Sequence, residues 1–152
     1  MSTTDTVPRL DMTALVGGPY AAMARVEERI ELDPTIRHLV RMRASIRNGC
    51  AFCLDMHWAH AIEDGEREQR LLQVAAWREA PCFDDRERAA LALTDALTGI
   101  ADGHLPHEVL DEARARFSDA ELANLLFQIA TINAWNRVAI GSGAVPASFA
   151  AA

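Results

Sequence analysis

The sequence has no basic excess: 15 lysines plus arginines stand against 22 aspartates plus glutamates, a net charge of −7. A surface of that sign has no general affinity for phosphate backbones or anionic lipid, so neither nucleic acid nor membrane is an expected partner. Long apolar runs are missing as well, and none approaches the roughly 20 residues of a membrane span. The first residues, Met-Ser-Thr-Thr-Asp-Thr-Val-Pro, lack the basic start and apolar core of a secretory leader. A cytoplasmic location is the expectation. Cysteine is scarce, with only three residues, which is too few for a disulfide-stapled secreted framework. In a reducing compartment a Cys-x-x-Cys pair is catalytic or metal-binding before it is structural. Strand patterning, internal repeats, low-complexity tracts and interdomain linkers are absent too.

What the chain does have is helical periodicity. Its 152 residues, half of them hydrophobic and 24% charged, suit one all-α domain with a real core, residues 1-9 and 147-152 serving as flexible tails. About six or seven helices are expected. Met12 to Ile30 carries Leu15, Met23, Val26 and Ile30, with Gly17-Gly18-Pro19 interrupting the helix or marking its start. Asp33-Pro34 is a cap followed by a first-turn proline, and Ile36, Leu39, Val40 and Ile46 supply an apolar stripe. Glu66 to Arg70 is read as the solvated start of a short helix. Asp84 or Asp85 caps a helix to about Ile100, Pro106 starts one through Phe117, and Ser118-Asp119-Ala120-Glu121 has the pattern of a capping box. The last helix, to about Ile140, is apolar nearly all round, so it is either central or in contact with another subunit.

The chain is organised around Asn48 to Asp64. Asn48-Gly49 favours a turn, after which a helix runs to Gly65. Cys50 falls at or just before the first helical turn and Cys53 within it. Helical geometry then puts Cys50, Cys53, His57, His60 and Asp64 within a sector roughly 80° wide. Unpaired N–H groups at a helix N-terminus favour a thiolate, and His57, one turn beyond Cys53, can take or return its proton. The two-residue spacer lets the sulfurs close a disulfide, which is the pattern of a dithiol redox site.

The run from Leu39 to His57, with Ser45-Ile46-Arg47-Asn48-Gly49-Cys50-Ala51-Phe52-Cys53-Leu54-Asp55-Met56-His57 at its heart, resembles the signature of the alkylhydroperoxidase D-like, carboxymuconolactone decarboxylase superfamily. Glu87 to Leu93 with Leu97-Thr98, and Ile132-Asn133-Ala134-Trp135-Asn136-Arg137, agree with it. The resemblance implies an all-helical fold whose subunits form homo-oligomers, whether dimers, trimers or hexamers. It also implies a thiol-dependent, peroxiredoxin-type antioxidant activity on hydroperoxides. Cys53 would be the peroxide-reactive thiol, Cys50 the resolving thiol and His57 part of the proton relay. An external dithiol, a lipoyl group or a thioredoxin-like protein, would reduce the disulfide, with no cofactor required. Two positions depart from the family pattern. His38 stands where members usually carry glutamate, twelve residues before the first cysteine, so the relay would hold an imidazole in place of a carboxylate. Phe52 removes an imidazole that some members place between the cysteines.

Other readings follow from the same residues. Cys-x-x-Cys-x-x-x-His-x-x-His looks superficially like a zinc site, but Cys50 and His60 lie about 15 Å apart along one helix, so at most three ligands converge, with His38 as an outside fourth. No metal is expected. A lactone decarboxylase, or a non-redox oligomeric scaffold of the same fold, would not depend on the cysteine pair. His60 reads as a surface residue. Cys82 reads as a small buried or interface hydrophobe, and Trp58, Trp77 and Trp135 as core or subunit contacts. Arg37, Arg41, Arg43 and Arg47 form a basic face turned to solvent or to a neighbour's acids.

Overall fold

Side-chain caps decide where most of the helices begin. The structure, a computed structural model, describes residues 8–150, which form seven α-helices and no strand. Residues 1–7 of the expected 1–9 tail, and residues 151–152 of the expected 147–152 tail, lie outside the described residues. Helix α1 (Met12–Arg29) starts on Asp11, whose carboxylate accepts the N–H groups of Thr13 (3.1 Å) and Ala14 (3.0 Å). It kinks at Val16, where φ is −137° and ψ 45°. Pro19 offers no N–H to Leu15 and its ring crowds that carbonyl, which explains a break just before it. Helix α2 (Pro34–Asn48) is capped by Asp33, with Pro34 in the first turn, and ends on Gly49 at φ 67°. Helix α3 (Ala51–Glu63) follows immediately. A short α4 (Glu68–Gln73) runs into a single 3-10 turn, Val74–Ala76. Reciprocal capping boxes start α5 (Asp85–Thr98), through Asp84 and Glu87, and α7 (Asp119–Ser142), through Ser118 and Glu121. Between them, after a 3-10 turn at Ile100–Asp102, lies α6 (His107–Arg116).

The central element is α2, which packs on α3, α5 and α7. One of its faces sends Ile36, Val40 and Ala44 into a core with Ala89, Leu93, Leu125, Ile129 and Ile132. Another sends Leu39 and Met42 against Ala61, Leu71, Val74, Trp77, Phe83 and Leu91. Helix α7 buries Leu122, Leu125, Ile129 and Ile132 but leaves Leu126, Phe127 and Ile140 36%, 63% and 51% exposed. Its apolar circumference is therefore partly open. Helix α1 has no buried residue and lies against α7.

Three sequence expectations need correction. The arginines of α2 find partners within this chain, acids for Arg41, Arg43 and Arg47 and a carbonyl for Arg37. Arg43 is buried and forks onto Asp95 (Nε–Oδ1 2.6 Å, Nη2–Oδ2 3.1 Å), while its Nη1 donates to the carbonyl of Ala75 (3.0 Å). Arg41 pairs with Glu27 at 2.6 Å, and Arg37 donates to the carbonyl of Ile30. Asp95 also accepts from Trp77 Nε1 (3.1 Å) and Arg78 (2.9 Å). Burial pushes its carboxyl up, but the guanidinium of Arg43, with Trp77 and Arg78, more than offsets this and holds it below the ordinary carboxylate range. Second, Glu66 to Arg70 is not simply a solvated run. Arg70 folds inward onto both oxygens of Glu66 (3.1 Å each), Glu87 and the Cys82 carbonyl (2.6 Å). Third, the C-terminal stretch is docked as far as it is described. Ala147–Phe149 forms a 3-10 turn, and Ser148 donates through its N–H (3.2 Å) and its hydroxyl to Asp55 of α3.

Candidate functional site

The turn at Gly49 lets two helices meet end to end. A left-handed φ suits glycine, and here it reverses the chain so that the Cys50 N–H bonds the Ser45 carbonyl at 3.0 Å. Cys50 then occupies the N-cap of α3. Its Sγ accepts the Cys53 N–H at 3.4 Å, the role a serine or aspartate oxygen usually fills. The Sγ atoms of Cys50 and Cys53 are 2.6 Å apart, and both residues are free thiols only 1% exposed. The structure thus brings the two sequence-predicted sulfurs together.

One proton is shared between them. The hydrogen bond from Cys53 pulls the Cys50 thiol down to about 7 against burial, helped by the Cys53 backbone N–H and by Asn136. The same contact, with burial, pushes the Cys53 thiol up. Negative charge therefore rests on Cys50, at the positive end of α3.

Cys53, not Cys50, lines a cavity of about 460 Å³ between α1, α2, α3 and α7. Met12, Tyr20, Phe52, Met56, Trp135 and Val138 make most of its walls apolar. Tyr20 and Trp135 meet edge to face, with ring centroids 4.8 Å apart. Its polar lining comprises Arg41 and Glu27, already paired, with His57 and His60, and Asp11, Thr13 and Ser142.

His57 is 6% exposed, and neither ring nitrogen has a hydrogen-bond partner among the described residues. Burial, reinforced by Arg41, His60 and His38, pushes its pKa down to about 3, so the ring is neutral at physiological pH. It shares the cavity with Cys53 but is not bonded to it. His60 sits exposed one turn on, its ring centroid 6.2 Å from that of His57. His38 is buried on α2 and points elsewhere: its Nε2 lies 2.8 Å from Asp64 Oδ2, at the far end of α3. It is not in the cavity lining.

The sign of the His57 shift makes stability depend on pH. An unfolded histidine titrates near 6.5 and the folded one near 3. Between those values the unfolded chain binds a proton that the folded chain refuses, so stability drops by about 1.4 kcal/mol for each unit that pH is lowered. His57→Gln should flatten urea-unfolding stability between pH 6.5 and 4 by on the order of 3 kcal/mol. Equal slopes in the two proteins would show that His57 protonates inside the fold.

Sequence reasoning did not assign site roles to Tyr20, Glu27, Arg41, Asn136 or, beyond packing, Trp135. Asn136 had a legible signal. With Gln128 and Asn133 it is an amide on the buried side of an otherwise apolar helix, and it is fully buried.

Known proteins are similar in sequence and fold. The sequence model of the carboxymuconolactone decarboxylase family matches residues 13–96. The uncharacterized protein YdfG of Bacillus subtilis (strain 168) is 36% identical over 121 residues, 80% of this chain and 82% of that one. A protein of unknown function from Agrobacterium tumefaciens, a candidate AhpD antioxidant-defence protein, superposes with a TM-score of 0.89 at 36% identity, covering 92% of this chain and 98% of the other. The alkylhydroperoxidase AhpD core of an uncharacterized peroxidase-related protein from Ralstonia eutropha JMP134 gives a TM-score of 0.78, covering 94% of this chain and 79% of that one. At 20% identity that second structural likeness speaks to the fold alone.

Proposed function

Because the chain belongs to the carboxymuconolactone decarboxylase family and has the AhpD-like helical fold, we propose that its cysteine pair makes it a dithiol peroxidase that reduces organic hydroperoxides. The observation that carries this reading is the pair of free sulfurs 2.6 Å apart, one of them in the wall of an apolar cavity.

The geometry supports the following steps. The shared proton moves to Cys50, leaving a thiolate on Cys53 where the cavity gives access. That thiolate attacks the terminal peroxide oxygen and the O–O bond breaks, giving a Cys53 sulfenic acid and an alkoxide. The alkoxide takes the proton of Cys50 and leaves as the alcohol. The Cys50 thiolate then attacks Cys53 sulfur, forms the disulfide and expels hydroxide, which solvent protonates. An external dithiol, lipoyl or thioredoxin-like, supplies the two electrons that restore both thiols. His57, with both ring nitrogens free of protein partners, and the unpartnered Nε of Arg41 are the groups that meet the peroxide oxygens. His38, tied to Asp64, acts on this chemistry only through its field at His57. The exposed Leu126, Phe127 and Ile140 of α7 support a homo-oligomer in solution.

Stopped-flow mixing of reduced protein with hydrogen peroxide and with cumene hydroperoxide tests the proposal. Two thiols should disappear per peroxide, on the order of 10²-fold faster than free cysteine, and cumene hydroperoxide should react faster because it fills an apolar cavity of drug-like size. Thiol loss no faster than in free cysteine with either oxidant would end this reading.

A further inference from the structure

A chain of amides leads from α7 to the sulfurs. Asn136 Nδ2 donates to Ser45 Oγ at 3.0 Å, and its Oδ1 accepts Asn48 Nδ2 at 2.8 Å. Ser45, which takes one Asn136 N–H, also bonds the Cys50 N–H through its carbonyl (3.0 Å), so the Asn136 amide sits beside the cysteine turn and lowers both thiols. Asn48 Nδ2 donates at the same time to Asn133 Oδ1 (2.9 Å).

The direction of every bond in this chain is forced. Asn133 Nδ2 faces the Ile129 carbonyl (2.9 Å), which can only accept, and Asn133 Oδ1 faces Arg137 Nη1 (3.1 Å), which can only donate. Asn133 therefore shows oxygen to Asn48, and Asn48 must answer with its NH₂. That NH₂ also meets Asn136, so Asn136 turns its own oxygen to Asn48 and its NH₂ toward Ser45 and the cysteines. One N–H is used by Ser45 Oγ and the other is left for sulfur.

Resting on the reading of the cysteine pair as the reacting centre, we propose that Asn136 is the donor that holds the dithiol in its reactive, singly deprotonated form, with Asn48 and Asn133 as positioning residues that aim its amide. An N–H donor stabilises a thiolate far more than a thiol, and the effect of the Asn136 amide on each cysteine is a lowering. The other titratable or charged groups around the cavity are Asp11, Tyr20 and Glu27 from α1 and its cap, Arg41 from α2, and His57 and His60 from α3. Helix α7 contributes no charge to that lining, so its influence on the sulfurs comes through the neutral amide.

Alkylation of the reduced full-length chain by iodoacetamide across pH tests this without using peroxide, so its outcome is separate from the fate of the peroxidase reading. Wild type should show a midpoint near 7, the value of the Cys50 thiol. Asn136→Leu, similar in size but without a donor, should move it up by about one unit, roughly tenfold less thiolate at neutral pH. Asn136→Ser, which keeps a donor, should recover most of that loss. If Asn136→Leu does not fold, Asn48→Ala, at a half-buried position, decides: freeing the Asn136 amide to turn over should still cost about threefold in thiolate. A midpoint within about 0.3 unit of wild type in folded Asn136→Leu, or in Asn48→Ala should the former not fold, overturns the proposal.

Discussion

Replacing Cys53 by serine should reduce peroxide turnover by on the order of 10³-fold or more and also remove the single-turnover reaction. A serine hydroxyl is not ionised near neutral pH, and without an adjacent general base bonded to it there is nothing to activate it. His57 is too poorly placed to rescue it, since no hydrogen bond links that ring to position 53. Cys50 remains in this variant but lies outside the cavity lining. Cys50→Ser should behave differently. Serine is a good N-cap, so α3 keeps its start. Cys53 can still be oxidised once, slowed by about tenfold for want of the partner sulfur, but no disulfide can form. The sulfenic acid should then persist long enough to be trapped by a dimedone-type reagent, and excess peroxide should drive it to the sulfinic state. Mass spectrometry after one equivalent of cumene hydroperoxide distinguishes the two variants. The reverse pattern, with Cys50 oxidised in Cys53→Ser and nothing trapped in Cys50→Ser, would exchange the two roles.

The second large effect concerns stability. Asp95→Asn should destabilise the fold by about 3–5 kcal/mol, the typical cost of stranding a buried charge. For a chain of this size that lowers the unfolding midpoint by on the order of 10 °C. Asp95 receives both forks of Arg43 and the Trp77 indole, so its loss leaves a buried guanidinium between α2 and α5 facing only carbonyls. Arg78→Ala provides the contrast. Its side chain is 63% exposed, so water can replace it and the change should stay within about 0.5 kcal/mol. Calorimetry or thermal circular dichroism of both variants tests the pair, and an Asp95→Asn midpoint within a degree or two of wild type would mean that solvent reaches Arg43.

Local chemistry made the architecture readable from the sequence. Asp33-Pro34, the Asp84-Asp85 pair, and Ser118 with Glu121 are start signals that act within one turn, and each begins a helix where expected, with Asp84 serving as the cap of α5. The same holds for Asn48-Gly49 and for Cys50 at the cap of α3, because a turn and a cap need only neighbouring residues. Family resemblance and spacing together marked the cysteine face. What remained hidden depends on partners far along the chain. Arg43 finds Asp95 across 52 residues and Asn136 finds Ser45 across 91, and no periodicity specifies such pairs. His38 illustrates the limit from the other side. Its position suggested a relay beside the sulfurs, but Asp64, an acid on the same sector of α3, claims its ring.

The wall formed by α1 has a consequence for what the cavity can admit. That helix buries none of its own residues, is kinked ahead of its proline and is tied to the body through Glu27, which bonds Arg41 and Gln128. Segments held so lightly detach locally for a small fraction of the global unfolding free energy. Because α1 supplies Met12, Tyr20, Ala24 and Glu27 to the wall, a guest larger than the cavity has to displace this helix before it disturbs the junction of α2 and α3 that carries the sulfurs.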